Sequence, residues 1–242
     1  MIDNRTRFRI GLKDGIPIAL GYFSVSFGVG IMAVKCGLSA WIGALISLTN
    51  LTSAGEAAGI GVIAAGGSFL EMILTQLLIN CRYCLMGLSL SQKLDSSFTL
   101  PHRIIASYGI TDEIFGVAAS KEEPLTPFYM YGMISIATVG WVSGTFLGGM
   151  CGELLPKTLT QAMGIMLYGM FVAVIIPPIR KSWTNVAVIL IAAAVSCVIY
   201  FVMPFISSGF AIIISAIIAA AVLAWIAPIP DEEEKAGEEE ER

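Results

Sequence analysis

Three short polar segments interrupt a sequence that is otherwise rich in apolar residues, and their side chains are the ones suited to chemistry. They are residues 49–56 (TNLTSAGE), 80–83 (NCRY) and 111–113 (TDE). Together they supply hydroxyls, amides, a guanidinium and carboxyl groups. Such a set can bind a small zwitterion by hydrogen bonds and charge, and its carboxyl groups can carry protons.

Residues 49–56 combine glycine with side chains that compete for backbone hydrogen bonds, which predicts a break in a helix. A broken helix exposes free N–H and C=O groups that can bind the carboxylate and ammonium of an amino acid. We therefore expect Asn50, Ser53 and the backbone near Gly55 to bind substrate. Glu56 is a candidate proton carrier or, alternatively, the residue that caps the second half of the broken helix.

The second segment places Asn80, Arg82 and Tyr83 in the middle of an apolar stretch, as predicted substrate-binding residues. Arginine is permanently charged, and its planar fork fits a carboxylate. Arg82 therefore either attracts a substrate carboxylate, with Asn80 orienting it, or pairs with Glu56 or with an acidic residue of the third segment. One arginine can serve both roles in alternating states.

The third segment carries two adjacent acids, Asp112 and Glu113. Adjacent carboxyl groups repel each other in an apolar helix, so one of them tends to hold a proton, which suits proton coupling. The same segment equally suits the start of a helix, with Thr111 or Asp112 as the N-cap. Both interpretations stay open at this point.

The composition around these segments predicts an all-α integral membrane protein. The chain has 242 residues, of which 56% are hydrophobic and 13% are charged, whereas soluble domains carry about 25% charged residues. About 20 apolar residues are needed to span a bilayer as a helix. The stretches without any charged residue are 15–34, 36–55, 124–152, 158–179 and 182–230.

Turn and proline signals divide the chain into a bundle of about seven transmembrane helices. The predicted spans are residues 15–34, 39–65, 69–90, 128–150, 158–179, 183–203 and 205–227. We expect the second span to be broken or re-entrant, and residues 104–119 to form one further helix that is either re-entrant or spanning. The predicted domains are a basic arm (1–14), a single transmembrane domain (15–230) and a disordered acidic tail (231–242).

Basic residues predict the orientation in the membrane. Four of them lie between positions 5 and 13, so the positive-inside rule places the N-terminus in the cytoplasm. Five crossings before Arg180 and Lys181 would put this pair outside, against the rule. The conflict disappears if residues 104–119 cross the membrane, or if the second span is re-entrant.

Several classes of site are not expected. Cys81 and Cys84 have the spacing of a metal or redox pair, but the chain has no second cysteine pair, and its single histidine is His102. The chain contains neither a Gly-x-x-x-x-Gly-Lys-[Ser/Thr] loop nor a His-Glu-x-x-His helix. We therefore expect no enzyme activity, no cofactor and no nucleic-acid partner.

The order of the polar segments resembles the azaleucine-resistance (AzlC-like) family, the large subunit of bacterial branched-chain amino acid exporters. The resemblance runs roughly over residues 15–178. It is carried by residues 15–17 (GIP), 27–28 (FG), 51–56 (LTSAGE), 80–83 (NCRY) and 111–113 (TDE). The chain departs from the family pattern at Glu56, where members more often carry glutamine.

The resemblance implies an exporter of hydrophobic amino acids in the bacterial cytoplasmic membrane, and the carboxyl groups of Glu56, Asp112 and Glu113 predict that it is proton-coupled. It also implies a small AzlD-like membrane subunit as partner. Gly140, Gly144 and Gly148 lie on one face of the fourth predicted span, and such small residues let helices approach closely. This face is therefore a candidate docking surface for that subunit.

Two other functions stay open. The chain is alternatively a non-transporting membrane subunit whose polar segments pack against a partner. An intramembrane enzyme is the third possibility, although the sequence shows no nucleophile–base pair and no set of metal ligands.

Overall fold

A computed structural model describes residues 3–151 and 183–226, together with Pro156, Thr158, Gly169 and Val172. The chain divides into two compact units, Met1–Val172 and Ala173–Arg242. The described part of the first unit contains α1 (Asn4–Lys35), α2 (Ala40–Thr49), α3 (Ser53–Ala64), α4 (Phe69–Ser91), α5 (Leu100–Tyr108), α6 (Asp112–Ala119) and α7 (Pro127–Cys151). The second unit contains α8 (Trp183–Val202) and α9 (Ser208–Ile226).

Among the described residues, five helices are long and apolar enough to cross a membrane. They are α1, α4, α7, α8 and residues Gly209–Ile226 of α9. The protein is therefore an α-helical membrane protein, as its composition predicts. The predicted span at 158–179 and the acidic tail at 231–242 lie essentially outside the described residues, so the count of seven spans stays a prediction.

The second unit is a helical hairpin in its described part. α8 and α9 pack against each other, and residues 203–207 between them are not helical. Pro204 lies in this linker, as the sequence predicts, because proline removes a backbone donor and its ring clashes with the preceding turn.

α1 begins at Asn4, earlier than the predicted start of the first span at Gly15. The side chain of Asp3 caps the helix by accepting a hydrogen bond from the Thr6 N–H at 2.7 Å. The basic residues that follow Asp3 are good helix formers. Hydropathy marks where a helix enters lipid, whereas capping marks where the helix begins, and the two positions differ here.

α1 and α7 lie parallel along a seam of glycines. Gly11 of α1 contacts Tyr129 near the start of α7, and Gly30 contacts Thr145 near its end. From the other side, Gly140, Gly144 and Gly148 contact the backbone of α1. The prediction that this glycine face docks a partner subunit is therefore wrong, because α1 of the same chain covers it. The beginnings of α1 and α7 define the N-terminal end of the first unit.

α4 runs in the opposite direction to α7. Leu94, just after α4, forms an isolated backbone bridge with Leu125, just before α7. The Asp95 N–H donates to the Leu125 carbonyl at 2.9 Å, and the Leu125 N–H donates to the Lys93 carbonyl at 2.8 Å. α4 has 23 residues, which at 1.5 Å per residue is about 34 Å. It therefore ends at the N-terminal end of the unit and begins at the opposite end.

The predicted break in the second span is confirmed, and α2 and α3 form a hairpin around it. Residues 50–52 are not helical and form the first tip. Ala40, at the start of α2, contacts Gly149 near the end of α7. Gly67, just after α3, lies beside Glu71 at the start of α4. Both outer ends of this first hairpin therefore lie at the opposite end of the unit.

The prediction of one helix over residues 104–119 is wrong, because α5 and α6 are separate. The chain breaks at residues 109–111, the second tip. Thr111 adopts an extended conformation (φ −123°, ψ 171°). Its hydroxyl accepts a hydrogen bond from the Ile114 N–H at 3.3 Å. Thr111 is thus the N-cap of α6, which was one of the two sequence interpretations.

The second hairpin, α5–α6, has its outer ends at the N-terminal end of the unit. His102 of α5 hydrogen-bonds to Tyr131 near the start of α7 at 2.7 Å. Lys121, just after α6, pairs with Asp14 near the start of α1 at 2.7 Å. The two hairpins therefore approach the middle of the unit from opposite ends.

Candidate functional site

The first tip is held by polar side chains of α4. The Gln76 amide donates to the carbonyl of Gly55 at 2.8 Å, and the Asn80 amide donates to Gln76 at 3.1 Å. Thr52 donates to Asn80 at 3.1 Å, and Tyr83 donates to Thr52 at 3.2 Å. These bonds tie the first tip and the first turn of α3 to α4, and they satisfy polar side chains that lie within apolar helices.

Arg82 pairs with Asp112 of the second hairpin at 2.9 Å. Its guanidinium also lies 5.2 Å from the centre of the Tyr83 ring. The Nε–H group of Arg82 is buried and has no hydrogen-bond partner among the described residues. The sequence allowed Glu56, Asp112 or Glu113 as the partner of Arg82, and in the structure the partner is Asp112. The Nε–H of Arg82 remains available as a donor.

Glu113 points to a different helix from its neighbour Asp112. It accepts a hydrogen bond from the Tyr22 hydroxyl of α1 at 2.5 Å, and the same hydroxyl contacts Thr111 at 2.6 Å. The Tyr22 ring packs edge to face on Trp141 of α7, with ring centres 5.2 Å apart. The two adjacent carboxyl groups are thus separated by their partners on α1 and α4.

Glu56 is fully buried in a separate polar pocket behind the first tip. It accepts hydrogen bonds from Ser47 and from the indole N–H of Trp141, the latter at 2.7 Å. Ser47 also contacts Thr145 of α7 at 2.6 Å. Glu56 lies in the first turn of α3, but its described side-chain bonds go to α2 and α7. It therefore links three helices through its side chain.

Two clefts lie at the tips. The narrower one is lined by Tyr22, Thr52, Ser53, Tyr83, Thr111, Asp112 and Glu113, among others. The wider one has a volume of about 160 Å³ and is lined by Asn50, Leu51, Asn80, Tyr83, Tyr108 and Ile110, among others. A water molecule occupies about 30 Å³ of the liquid, so the wider cleft has the size of a small organic solute.

The two clefts bring together most of the predicted site residues. Asn50, Ser53, Asn80, Tyr83, Asp112 and Glu113 line one cleft or both, and Arg82 reaches them through Asp112. Gly55 lies behind the tip, where its carbonyl binds Gln76. Glu56 also lies behind the tip, on the α7 side. The predicted residues therefore form one connected region rather than one pocket.

Comparison with known proteins places this region in a family. The AzlC protein family matches residues 17–155. The chain belongs to the AzlC family. The matched residues include all three polar segments, both hairpins and Trp141, so the whole candidate site lies within the family region. The predicted resemblance is thereby confirmed.

Two relatives illustrate the breadth of this family. The inner membrane protein YgaZ of Escherichia coli K12 is 26% identical over 233 residues, which cover 93% of this chain and 94% of that protein. An uncharacterized membrane protein of Archaeoglobus fulgidus is 28% identical over 183 residues, covering 75% of this chain and 80% of that protein. No solved structure matches the chain.

The sequence reasoning missed several residues that this AzlC-family site uses. They are Tyr22, Ser47, Gln76, Trp141 and Thr145. Each is a polar or partly polar side chain in an apolar helix, and such groups are common at helix–helix contacts in membranes. A usable signal was Gln76, which lies one helical turn before Asn80 and therefore on the same face of α4.

We expect Gln76→Leu to destabilise the protein. The change removes two hydrogen bonds, to the Gly55 carbonyl and from the Asn80 amide, and each such bond contributes about 0.5–1.5 kcal/mol net. Thermal unfolding of the purified protein in detergent measures the effect. Gln92→Leu, at the exposed C-terminal end of the same helix, is the matched control. Equal melting temperatures for the two variants would contradict a structural role for Gln76.

Proposed function

We propose that this chain is a secondary transporter that exports branched-chain or other hydrophobic amino acids across the bacterial cytoplasmic membrane. One observation carries the proposal: two broken helices meet at polar clefts in the middle of a unit whose long helices are apolar. Non-helical backbone is tolerated at membrane depth only where it is buried in protein or lines a wet cavity. Both hairpins are proposed to be re-entrant on this ground.

The substrate's polar head fits the wider cleft and its neighbours. Asn50 and Asn80 line this cleft and offer amide donors and acceptors to an ammonium and a carboxylate. Ser53 and Tyr83 line the adjoining narrow cleft. The apolar side chain of the substrate would pack against apolar lining residues, Leu51 and Ile110.

Arg82 is the proposed partner of the substrate carboxylate. Within the described part of the chain its Nε–H makes no hydrogen bond. Its ion pair with Asp112 is partly exposed, with side-chain exposures of 34% and 29%. A substrate carboxylate can therefore compete with Asp112 for the guanidinium. In this proposal the substrate carboxylate displaces Asp112 from Arg82, and the freed Asp112 carboxylate binds the substrate ammonium. Protonation of Asp112 then favours release of the substrate, so proton and substrate cross the membrane in opposite directions.

Proton coupling is proposed to use Glu56, Asp112 and Glu113. Asp112 and Glu113 share a region with one guanidinium, so the acidic groups outnumber the cation there. Glu56 takes part in no ion pair among the described residues. A buried carboxyl group in that position is stable with a proton bound, because an unpaired buried charge is costly.

The proposed orientation places the N-terminus in the cytoplasm. Basic residues gather at the N-terminal end of the first unit, including Arg7, Lys13, Lys93 and Lys121, while Lys35 ends α1 at the opposite end. This asymmetry matches the positive-inside rule. A small AzlD-like subunit stays the proposed partner, and the export role involves no enzyme activity.

Efflux of radiolabelled leucine tests the proposed function. Cells are loaded with a labelled leucine dipeptide, and efflux is followed with the chain expressed alone and with a small AzlD-like subunit. Faster efflux than in cells lacking the chain is the expected result. Unchanged efflux in both cases, with the protein shown to be in the membrane, would exclude leucine as a substrate under this proposal.

We expect Glu56→Gln to uncouple transport from protons. Glutamine is isosteric, its amide oxygen can accept from Trp141, and the Ser47 hydroxyl can accept from the new amide, so folding is expected to persist. Leucine transport driven by a pH gradient across proteoliposomes should fall about tenfold, which corresponds to about 1.4 kcal/mol. Exchange of leucine for leucine, which needs no net proton movement, should continue.

Glu122→Gln is the control for this prediction, because Glu122 is exposed in the loop after α6. It should respond to the pH gradient like the parent protein. If Glu56→Gln retained the full response, coupling would have to be assigned to Asp112 and Glu113 instead.

A further inference from the structure

The two hairpins share one local design. In each, a three-residue tip separates two helices, and a threonine in extended conformation precedes the second helix. Thr52 has φ −143° and ψ 114°, and Thr111 has φ −123° and ψ 171°. An aliphatic residue precedes the threonine in both tips, Leu51 in the first and Ile110 in the second.

The long helix before each hairpin also has a matching feature. α1 precedes the first hairpin and carries Tyr22, and α4 precedes the second hairpin and carries Tyr83. α1 and α4 run in opposite directions, as their contacts with α7 and its preceding residue show. The segments α1–α3 and α4–α6 therefore repeat the same order of elements in inverted orientation.

The tyrosine contacts between these two segments are crossed. The Tyr22 hydroxyl of the first segment lies 2.6 Å from the Thr111 hydroxyl at the tip of the second hairpin. Tyr83 of the second segment donates to Thr52 at the tip of the first hairpin at 3.2 Å. Each long helix therefore holds the tip of the hairpin that belongs to the other segment.

We propose that α1–α3 and α4–α6 form an inverted structural repeat in which Tyr22 and Tyr83 are paired positioning residues, each closing the central cleft toward one face of the membrane. Tyr22 holds the second hairpin, which lies between the cleft and the N-terminal end. Tyr83 holds the first hairpin, which lies between the cleft and the opposite end. Release of one tyrosine contact opens the cleft to one face only.

The inference deepens the proposed function, because a transporter must open its site to each side in turn. The role of the two tyrosine contacts in transport rests on that function. The placement of the hairpins and the effect of each tyrosine on access rest on the geometry alone. Labelling of cysteines therefore tests the inference without any substrate.

The two contacts differ in strength. Tyr22 is 6% exposed, and its hydroxyl contacts both Thr111 and Glu113 at 2.6 and 2.5 Å. Tyr83 is partly buried and makes one longer bond to Thr52. The cleft is therefore closed more tightly on the side of the N-terminal end. We expect access to the cleft to increase more when Tyr22 loses its hydroxyl than when Tyr83 does.

The first experiment tests the opposite insertion of the hairpins. The five native cysteines are replaced by serine or alanine, and single cysteines are introduced by Ala65→Cys and Ser120→Cys. Ala65 ends the first hairpin and Ser120 ends the second, and both are exposed. A membrane-impermeant maleimide should label them from opposite faces of oriented vesicles. Labelling of both from the same face would overturn the proposal.

The second experiment tests the tyrosines. Ser53→Cys places a reporter in the narrow cleft that Tyr22, Tyr83 and both tip threonines line. Tyr22→Phe should raise maleimide labelling of this reporter about fivefold from the membrane face at which Ser120→Cys is labelled. Tyr83→Phe should raise it from the other face by a smaller factor. A fivefold change corresponds to about 1 kcal/mol, the usual net contribution of one hydrogen bond.

Tyr131→Phe is the matched control, because the Tyr131 hydroxyl bonds to His102 away from both tips. It should leave labelling of the reporter unchanged from either face. A general loosening of the fold would raise labelling from both faces in all three variants, and this result would overturn the proposal. Equal labelling of parent, Tyr22→Phe and Tyr83→Phe would also overturn it. Leucine efflux, measured separately, decides on the proposed function.

Discussion

Replacing Arg82 by leucine is expected to reduce leucine efflux to the level of cells that lack the chain. The change removes the proposed partner of the substrate carboxylate and leaves Asp112 without its cation. We expect it also to lower the free energy of unfolding by roughly 1–2 kcal/mol, less than for a fully buried pair because both side chains are about one-third exposed. Efflux and the melting temperature are measured on the same variant.

A double variant separates the two roles of Arg82. In Arg82→Leu/Asp112→Leu neither charge is left unpaired, so stability should return toward that of the parent protein. Efflux should stay absent, because the substrate carboxylate still lacks a partner. Recovery of efflux in the double variant would show that Arg82 serves only to neutralise Asp112, and the substrate role would then be wrong.

Arg103→Leu is the matched cation control. Arg103 lies on α5, is exposed, and donates through Nε to the Phe98 carbonyl at 3.3 Å. Its hydrogen bond in the described structure goes to Phe98, which lies outside both tips. Its replacement should therefore leave efflux close to that of the parent protein, which would exclude a general effect of removing one positive charge.

Replacing Gly144 by alanine is expected to disrupt the packing of α1 against α7. A Cβ atom at this position would overlap the side-chain oxygen of Ser26 and the backbone oxygen of Phe23. The backbone atom has no freedom to move unless the two helices separate. Overpacking of this kind costs about 1–3 kcal/mol and occasionally more, so the melting temperature and the yield of folded protein should both fall.

Gly21→Ala is the control for the glycine seam. Gly21 lies in the interior of α1, and a Cβ atom there would meet no atom of residues 3–151 or 183–226 within 4 Å. Alanine favours a helix over glycine by up to about 1 kcal/mol, so this variant should be at least as stable as the parent. Similar melting temperatures for Gly144→Ala and Gly21→Ala would contradict close contact of α1 and α7 through this face.

The sequence by itself determined the class of the protein and the position of the break in its second span. Few charges and long apolar stretches require a membrane environment, because charged groups are costly in lipid. The break after Thr49 follows from Asn50 and Thr52, and Thr111 acts as an N-cap, as one of its two interpretations predicted. These features depend on each residue's own backbone and its near neighbours, so local reasoning reaches them.

Neighbouring residues in the sequence do not predict a helix break that depends on packing against another helix. The separation of α5 from α6 was missed because an isolated glycine such as Gly109 is tolerated within a helical pattern and is therefore a weak signal. Its tight contact with Ile134 of α7 leaves no room for a side chain, so the reason for glycine lies in packing rather than in the local sequence.

Only the tertiary structure decided which polar groups meet. Arg82 had three acidic candidates and pairs with Asp112, whereas Glu113 bonds to Tyr22 and Glu56 bonds to Ser47 and Trp141. The glycine face of α7 receives α1 instead of a partner subunit. These pairings join residues far apart in the chain, and they depend on the direction and rotation of whole helices. Hydropathy and capping signals contain no such information, because many helix arrangements bury the same apolar area.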